Sequence, residues 1–383
     1  MIYLDHSATT PVHPEVVEAM LPYLHQHFGN PGSPHHFGRD ARAALDTAHA
    51  QVAALLNADP SEIVFTSGGT ESNYLVLSSW AHAGAVAGKQ KIIISAIEHP
   101  AVMDNAEALA RQLNLQCVVL PVDARGVVNP EVLIPHLDTA ALVSIMTANN
   151  ETGVLQPIEA IGMLCREHGV PFHTDAVQAV AKIPVDLGAL PVDALSLSAH
   201  KLNGPKGVGA LYLRQGTPYR AIPRGGGQER GRRSGTENIP AIVGLGKACV
   251  LAHQHLKENE NTSALRDYLQ TELIAAIPGI HVNGGDAPRV PHILNIAIEC
   301  LEGSAVVMAL DAEGIAVATG SACHSGAATA SRVLLAMGQD HPRALSAVRI
   351  SLGPQTTREE LDLAIECIKK CTHHLRNVGG PCC

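Results

Sequence analysis

Chemically reactive side chains follow several short apolar runs of this 383-residue sequence, at the point where each run ends. These runs alternate with helical patterns, which predicts a mostly parallel sheet whose carboxyl edge is the usual place for a ligand. The segments that would meet at this edge are 67–70 (Ser-Gly-Gly-Thr), 98–99 (Glu-His), 149–151 (Asn-Asn-Glu), Asp175 and 200–201 (His-Lys). Five such clusters on one edge predict a binding or catalytic site.

Each cluster alone also has an ordinary structural interpretation. Segment 67–70 is by itself a turn with a helix cap, Asp175 a turn carboxylate, His99 a polar loop residue and Lys201 a solvated lysine beside a Gly-Pro turn. Together they are the parts that hold pyridoxal 5′-phosphate. The glycines let a helix N-terminus bind the phosphate, the lysine forms the Schiff base, and the carboxylate keeps the ring nitrogen protonated.

A cysteine lies apart from these clusters, among small residues. The stretch "GSACHSG" at 320–326 has no apolar periodicity around Cys323, so packing does not account for the thiol. The alternative interpretation is a small buried hydrophobic side chain.

The elements that must position these residues form an α/β pattern. Amphipathic helices are predicted at 105–114 and 158–169. The candidate strands of the main sheet are 62–66, 91–95, 117–121, 141–147, 170–174, 194–198 and 208–213.

After about residue 238 the pattern changes to a smaller α+β set. A helical stretch at 239–258 leads to these elements: candidate strands 293–298, 315–319 and 347–352, and a helix at 358–375. We expect an N-terminal segment (1–15) that packs with the small domain, a large domain (16–250) and a small C-terminal domain (251–383).

Composition excludes several classes of protein. A net charge of -9 argues against binding to a nucleic-acid backbone. The sequence has no run of 18 apolar residues, so no membrane span is predicted. The first residues lack a basic and then apolar leader, so we expect a cytoplasmic protein. Nine cysteines without a regular spacing predict reduced thiols rather than a disulfide framework.

Ten motifs, in order, resemble those of the cysteine desulfurases, which are class V members of the fold type I enzymes that use pyridoxal 5′-phosphate. The motifs are "LDHSATTP", "GNPGSPHHFGR", "FTSGGTESN", "EHPAV", "NNETG", "HTDAVQ", "SAHKLNGPKG", "GGGQERGRRSGTEN", "GSACHS" and "VRISLG". The resemblance covers essentially the whole chain. It implies an α/β fold with a mostly parallel seven-stranded sheet in the large domain and a smaller α+β domain.

The resemblance also implies a role for individual residues. Lys201 would be the Schiff-base lysine, His99 would stack on the ring, Asp175 would pair with the ring nitrogen, and Gln178 would reach the ring hydroxyl. The implied phosphate-binding residues are Gly69, Thr70, Ser198 and His200, with Thr236 supplied to the other subunit of a homodimer with composite active sites. Asn150 and Arg349 would bind the substrate carboxylate. No metal is implied.

In the implied reaction Cys323 is the nucleophile. L-Cysteine would become L-alanine, with Lys201 and His99 as proton carriers, and the sulfur would remain on Cys323 as a persulfide. The small residues from 320 to about 331 form a long segment, similar to that of the subgroup that passes sulfur directly to a scaffold protein for iron–sulfur cluster assembly.

Alternatives remain open at this point. His324 after the nucleophile also occurs in selenocysteine lyases of the same family, so selenium is a rival substrate element. A protein that carries sulfur or metal without catalysis is a distant rival, motivated by nine Cys and 21 His. Cys382 and Cys383 would relay persulfide or bind metal, or simply belong to a frayed terminus. Cys367 and Cys371, near two histidines, are a weaker metal candidate.

Overall fold

The computed structural model describes residues 1–256, 259–320 and 329–378. Cys323, most of the segment 320–331 and the pair Cys382 and Cys383 lie outside the described residues. The strands are β1 Ile2–Tyr3, β2 Ile63–Thr66, β3 Lys91–Ser95, β4 Gln116–Leu120, β5 Ala140–Ser144, β6 Phe172–Asp175, β7 Ala194–Ser198, β8 Gly209–Leu213, β9 Ile280–Val282, β10 Ile293–Ile298, β11 Ile315–Ala316 and β12 Ala347–Ser351.

Helices connect most of these strands. The α-helices are α1 Pro14–His25, α2 His36–Leu56, α3 Gly69–Val86, α4 Pro100–Leu113, α5 Ile134–Leu137, α6 Ile158–Glu167, α7 Gln228–Gly231, α8 Ile239–His255, α9 Asn259–Ala276, α10 Gly303–Ala312, α11 Arg332–Ala336, α12 His341–Leu345 and α13 Arg358–Val378. Short 3₁₀ turns are formed by Pro60–Glu62, Pro130–Leu133 and Ala199–Lys201.

The main sheet has seven strands in the order β2-β8-β7-β6-β5-β3-β4. All neighbours are parallel except β8, which is antiparallel to both β2 and β7. The predicted fold class, an α/β fold with a mostly parallel seven-stranded sheet, is confirmed. All seven predicted strands are present, although the run 141–147 ends three residues early, at Ser144.

Both faces of the main sheet are covered, which explains why most positions of its strands are apolar. Ile93 of β3 points into one hydrophobic cluster together with residues of α2, α6 and α8. Ile92 and Ile94 of the same strand point into a second cluster with α3 and α4. Because side chains alternate along a strand, most of the strands contribute to both clusters. The carboxyl ends of the strands are therefore held from two sides.

A smaller set of elements has its own hydrophobic cluster. The antiparallel sheet β12-β10-β9 packs with α9, α10 and α13. The strand β1 joins this set, because it pairs in parallel with β11 and because Leu4 is buried in the same cluster. The strand β9 was not predicted, since three half-buried residues carry too little pattern. The division into domains at 15 and 250 stays a prediction.

The cysteines differ from the expectation at one position. Five are free: Cys117, Cys165, Cys249, Cys367 and Cys371. Cys300 is in a disulfide, which corrects the prediction of reduced thiols throughout. Cys300 is exposed, two residues after the end of β10, and its φ of 63° is a turn geometry. The spacing of the cysteines along the chain does not reveal this geometry.

Across the described parts of the chain, no helix is both long enough and apolar enough to cross a lipid bilayer.

The packing of α3 on the sheet gives a test of the fold. A Cβ atom at Gly84 would lie 2.9 Å from the Cα of Ala141 in β5, so the helix approaches the strand too closely for any side chain. We expect Gly84→Val to lower the free energy of unfolding by about 1–3 kcal/mol through overpacking. Ala83→Val, at an exposed neighbouring position of the same helix, should change it by no more than about 0.5 kcal/mol. Denaturant unfolding measures both, and equal effects would contradict this packing.

Candidate active site

A cavity of about 380 Å³ lies at the carboxyl edge of the main sheet. It brings together ten of the predicted site residues: Gly69, Thr70, His99, Asn150, Asp175, Gln178, Ser198, His200, Lys201 and Arg349. These residues come from the ends of several strands, from the turns that follow them and from the smaller set of elements. The expected meeting of the polar clusters therefore occurs.

One end of the cavity is suited to an anion. Helix α3 begins at Gly69, directly after β2, and no side chain in the described ranges caps its first turn. Gly68 has φ of 153°, a conformation that other residues rarely adopt. A Cβ atom on Gly69 would lie 2.9 Å from Val177 Cγ2, so only glycine allows the turn to pack against the β6 end. Free N–H groups and the helix dipole at this end attract negative charge.

A buried carboxylate lies at the end of β6. Asp175 is 6% exposed, and its Oδ2 accepts a hydrogen bond of 2.7 Å from Asn73 Nδ2. Its Oδ1 accepts from the N–H of Val177 at 3.0 Å. Both oxygens are thus held in place, which fixes the direction in which the carboxylate can pair with a cationic nitrogen in the cavity.

His99 lies between β3 and α4 as the residue that caps the helix. Its Nδ1 accepts from the N–H of Ala101 at 3.1 Å, and Pro100 follows at the first helical position. Burial lowers the pKa of His99, while the charge of Asp175 opposes this shift. The shift favours the neutral ring, and because Nδ1 accepts a hydrogen bond, the hydrogen of the neutral form is on Nε2.

Lys201 follows β7 on the 3₁₀ turn Ala199–Lys201. Its Nζ donates to the carbonyl oxygens of Ser7 at 2.5 Å and Ala8 at 2.7 Å. Burial lowers the pKa of Lys201 to about 8, and the charge of Arg349 contributes in the same direction. An amine with this pKa is neutral in a useful fraction near pH 8, which a nucleophilic or basic lysine requires.

Arg349 lies on the central part of β12 and is 5% exposed. Its Nη1 donates to the carbonyl of Asn150 at 2.9 Å, and its Nη2 donates to Asp5 Oδ1 at 2.9 Å. Its Nε is buried and has no hydrogen-bond partner within the described part of the chain. A buried guanidinium with an unused donor is a site for an incoming carboxylate.

The N-terminal segment forms the wall opposite Lys201. Gln178 Nε2 donates to the carbonyl of Ser7 at 2.9 Å, and the Ser7 hydroxyl donates back to Gln178 Oε1 at 3.3 Å. The Nδ1 of His200 lies 3.2 Å from Thr9 Oγ1. Burial lowers the pKa of His200 to about 4, so this ring is neutral and acts only through hydrogen bonds.

Two predicted residues are not among the described residues that line this cavity. Thr236 is exposed and does not line it. Cys323 lies outside the described residues, although Gly320, at the start of its segment, lines the cavity. The sequence interpretation gave no role to Ser7, Ala8 or Asn73. All three lie within the motifs "LDHSATTP" and "FTSGGTESN", and their place in these motifs could have identified them as candidate site residues.

Comparison with known proteins agrees with this geometry. A family model described as aminotransferase class-V matches residues 2–363. The chain is 43% identical over 381 residues to "Cysteine desulfurase IscS" of Dictyoglomus turgidum, covering 99% of this chain and 96% of that one. It is 45% identical over 381 residues to "Cysteine desulfurase NifS" of Azotobacter vinelandii, covering 99% and 94%.

A solved structure agrees as well. The protein described as "NIFS-LIKE PROTEIN" superposes with a TM-score of 0.90 at 38% identity, covering 98% of this chain and all of that one. Matches of this length and identity extend across the main sheet, the cavity and the smaller set of elements. The chain belongs to the class-V aminotransferases and, within them, to the cysteine desulfurase family, whose members use pyridoxal 5′-phosphate.

Proposed function

We propose that this protein is a cysteine desulfurase that converts L-cysteine to L-alanine and transfers the sulfur, as a persulfide on Cys323, to an acceptor. The observation that carries the proposal is the desolvated amine of Lys201, which shares one cavity with Asp175, His99, Arg349 and an uncapped helix N-terminus. Pyridoxal 5′-phosphate and an amino-acid substrate can both bind in one cavity only if it contains all of these groups.

The residues present suit pyridoxal 5′-phosphate by their chemistry. The uncapped start of α3 suits the phosphate, and the close packing of Gly69 on Val177 keeps that turn open. The fixed carboxylate of Asp175 suits a protonated ring nitrogen, and Lys201 suits the aldehyde. When bound, the cofactor withdraws electrons from the substrate α-carbon and so makes its proton acidic.

The remaining groups bind the substrate and move its protons. Arg349, through its unused Nε, and Asn150 hold the substrate carboxylate. Lys201 in its neutral form accepts the α-proton, and the neutral ring of His99 lies in the same cavity as a second proton carrier. The charges of Asp5 and Asp175 oppose the lowering of the Lys201 pKa, which keeps it from falling further below the ordinary value for lysine.

Sulfur transfer requires the thiolate of Cys323. It attacks the sulfur of the substrate, the carbon–sulfur bond breaks with its electrons left on carbon, and that carbon takes up a proton to become the methyl group of alanine. The new sulfur–sulfur bond leaves a persulfide on Cys323. A thiol reductant or an acceptor protein then removes the terminal sulfur.

The reaction is tested with cofactor-loaded protein, L-cysteine and a thiol reductant. We expect alanine and sulfide in equal amounts, because each turnover releases one of each. Cys323→Ala should reduce both to background, whereas Cys117→Ala should leave them unchanged, since the Cys117 thiol lies on edge strand β4 with its pKa raised to about 11. Alanine release by Cys323→Ala would contradict the proposal, and turnover of selenocysteine alone would identify a selenocysteine lyase.

The pKa of Lys201 gives a second test. Only the neutral amine attacks the cofactor aldehyde, so apoprotein should bind pyridoxal 5′-phosphate faster as the pH rises from about 7 to about 9, with a midpoint near the pKa of about 8. Arg349→Gln removes a cause of the lowered pKa, so its midpoint should move to higher pH. The growth of cofactor absorbance measures the rate.

The control for this pH dependence is Lys206→Gln, which removes an exposed positive charge from the same loop. Its midpoint should match that of the unmodified protein. A midpoint of the unmodified protein near 10.4, the ordinary value for lysine, would show that Lys201 is not desolvated. A shift of equal size in both variants would exclude a specific effect of Arg349.

We also propose a homodimer with composite active sites. Helix α1 exposes Val17, Leu21 and Leu24 on one face, which is followed by Phe28, itself 70% exposed. The ring of Phe28 stacks on that of Phe37 in α2, with 5.3 Å between centroids. An exposed apolar face of this extent favours burial against a second subunit. Thr236, exposed and outside its own cavity, would then act on the phosphate of the other subunit.

The dimer is tested by charging this face. The double substitution of Leu21→Glu and Leu24→Glu should convert the dimer to a monomer and weaken cofactor binding, because each site would lose the partner's Thr236. Leu363→Glu, at an equally exposed position of α13, should remain a dimer. Sedimentation equilibrium measures the mass. A dimeric double variant, or an unmodified protein that sediments as a monomer, would refute this interface.

The acceptor and location complete the proposal. We propose a cytoplasmic enzyme that delivers sulfur to a scaffold protein for iron–sulfur cluster assembly, or to thio-modified products, without nucleic acid or membrane as a partner. The family resemblance and the length of the segment 320–331 support this part.

A further inference from the structure

A buried carboxyl group contacts both ends of the segment that carries Cys323. Glu151, two residues after Asn149 in the turn beyond β5, is 7% exposed. Its Oε2 lies close to Gly320 and also accepts a hydrogen bond from the hydroxyl of Ser331. Glu151 belongs to the cluster 149–151 that the sequence analysis places at this edge, but neither the residue roles implied by the resemblance nor the reaction described above uses its carboxyl group.

The contact with Gly320 leaves no room for a side chain. A Cβ atom built on Gly320 would overlap Glu151 Oε2 and lie 3.0 Å from its Cδ. The chain just before Gly320 is also held, because the N–H of Ala318 donates to the carbonyl of Arg349 at 3.1 Å and the reverse bond measures 2.7 Å. The segment thus begins at a fixed point beside the arginine proposed to bind the substrate.

The contact with Ser331 fixes the other end. The Ser331 hydroxyl donates to Glu151 Oε2 at 2.5 Å and accepts from the N–H of Leu334 at 3.1 Å as the cap of α11. Ser331 is 1% exposed. The start of α11 and the carboxyl of Glu151 are therefore joined through one hydroxyl.

The backbone of Glu151 is held by hydrogen bonds in the turn that lies on the substrate side of the cavity. Its N–H donates to Asn149 Oδ1 at 2.9 Å, and its carbonyl accepts from Asn295 Nδ2 at 3.1 Å. The preceding residue, Asn150, is bound through its carbonyl by Arg349. A displacement of Glu151 would therefore move both ends of the Cys323 segment relative to the substrate.

We propose that Glu151 is a positioning residue that ties both ends of the Cys323 segment to the substrate-binding turn. The proposal rests on the proposed function. Cys323 is the third residue beyond Gly320, so its Cα stays within about 11 Å of the Gly320 Cα at every stage of the reaction. Anchoring both ends limits the volume that the thiol searches and raises its effective concentration at the substrate sulfur.

The experiment compares Glu151→Ala and Glu151→Gln in the full-length, cofactor-loaded enzyme. We expect Glu151→Ala to lower kcat for alanine release by about 10- to 100-fold, with KM for cysteine changed by less than about 3-fold, because substrate binding does not use this carboxyl. Glu151→Gln should retain most of kcat, since an amide oxygen still accepts from Ser331. Cofactor absorbance and thermal unfolding confirm that each variant is loaded and folded.

A double-substitution cycle separates anchoring from a general loss of structure. Ser331→Ala should reproduce the kcat effect of Glu151→Ala, and the combined variant should be no slower than the slower single one, because both remove the same link. The matched control is the exposed pair at the start of α10, in which the Ser304 hydroxyl donates to Glu302 Oε1 at 2.6 Å. Glu302→Ala should leave kcat unchanged.

The outcomes distinguish this proposal from the function on which it rests. If unmodified enzyme releases no alanine from cysteine, the proposed function fails. If it does so and Glu151→Ala has an unchanged kcat, or raises KM in parallel, the positioning role is refuted. The same holds if Glu151→Gln is as slow as Glu151→Ala, or if the two alanine substitutions act additively.

Discussion

The hydrogen bonds from Lys201 to the carbonyls of Ser7 and Ala8 are the contact on which the site depends. They join residues more than 190 positions apart and bring the N-terminal segment over the edge of the main sheet. The segment is itself held by β1 against β11 and by the N–H of Ser351, which donates to the carbonyl of Leu4. The N-terminal segment, which is anchored in the hydrophobic cluster of the smaller set of elements, therefore shields the Lys201 amine from water. The lowered pKa of Lys201 requires both this cluster and the main sheet to be assembled.

Charge in the cavity is balanced by pairs that cross the same junction. Arg349, from the smaller set of elements, pairs with Asp5 of the N-terminal segment at 2.9 Å. The charge of Arg349 also lowers the pKa of Lys201, which follows a strand of the main sheet. Asp175 opposes that shift and is oriented by Asn73. Because these two carboxylates and two cations come from distant parts of the sequence, their balance exists only in the folded chain.

The sequence predicts the main sheet and the residues at its edge because both depend on local pattern. Strands buried on two faces are mostly apolar, and the polar residues at or just beyond their ends stand out, as Asp175 does at the end of β6 and Lys201 does after β7. The strand β9 escapes prediction because it is short and half buried, and Cys300 because a disulfide depends on proximity in space. Ser7, Asn73 and Glu151 lie within recognisable motifs, but they act through contacts across many residues, and the neighbouring sequence does not show which residues they contact.

The location of the nucleophile has a consequence for the acceptor. Groups that bind the substrate lie on strands and on the turns that follow them, where packing fixes them closely, whereas Cys323 is attached to this framework through Gly320 and Ser331. The chain between these points cannot carry the thiol farther than its own length allows, so an acceptor has to approach the cavity edge near Gly320. A second subunit that covers α1 must therefore leave the cavity edge near Gly320 exposed. Sulfur delivery and dimer formation therefore require different faces of this fold.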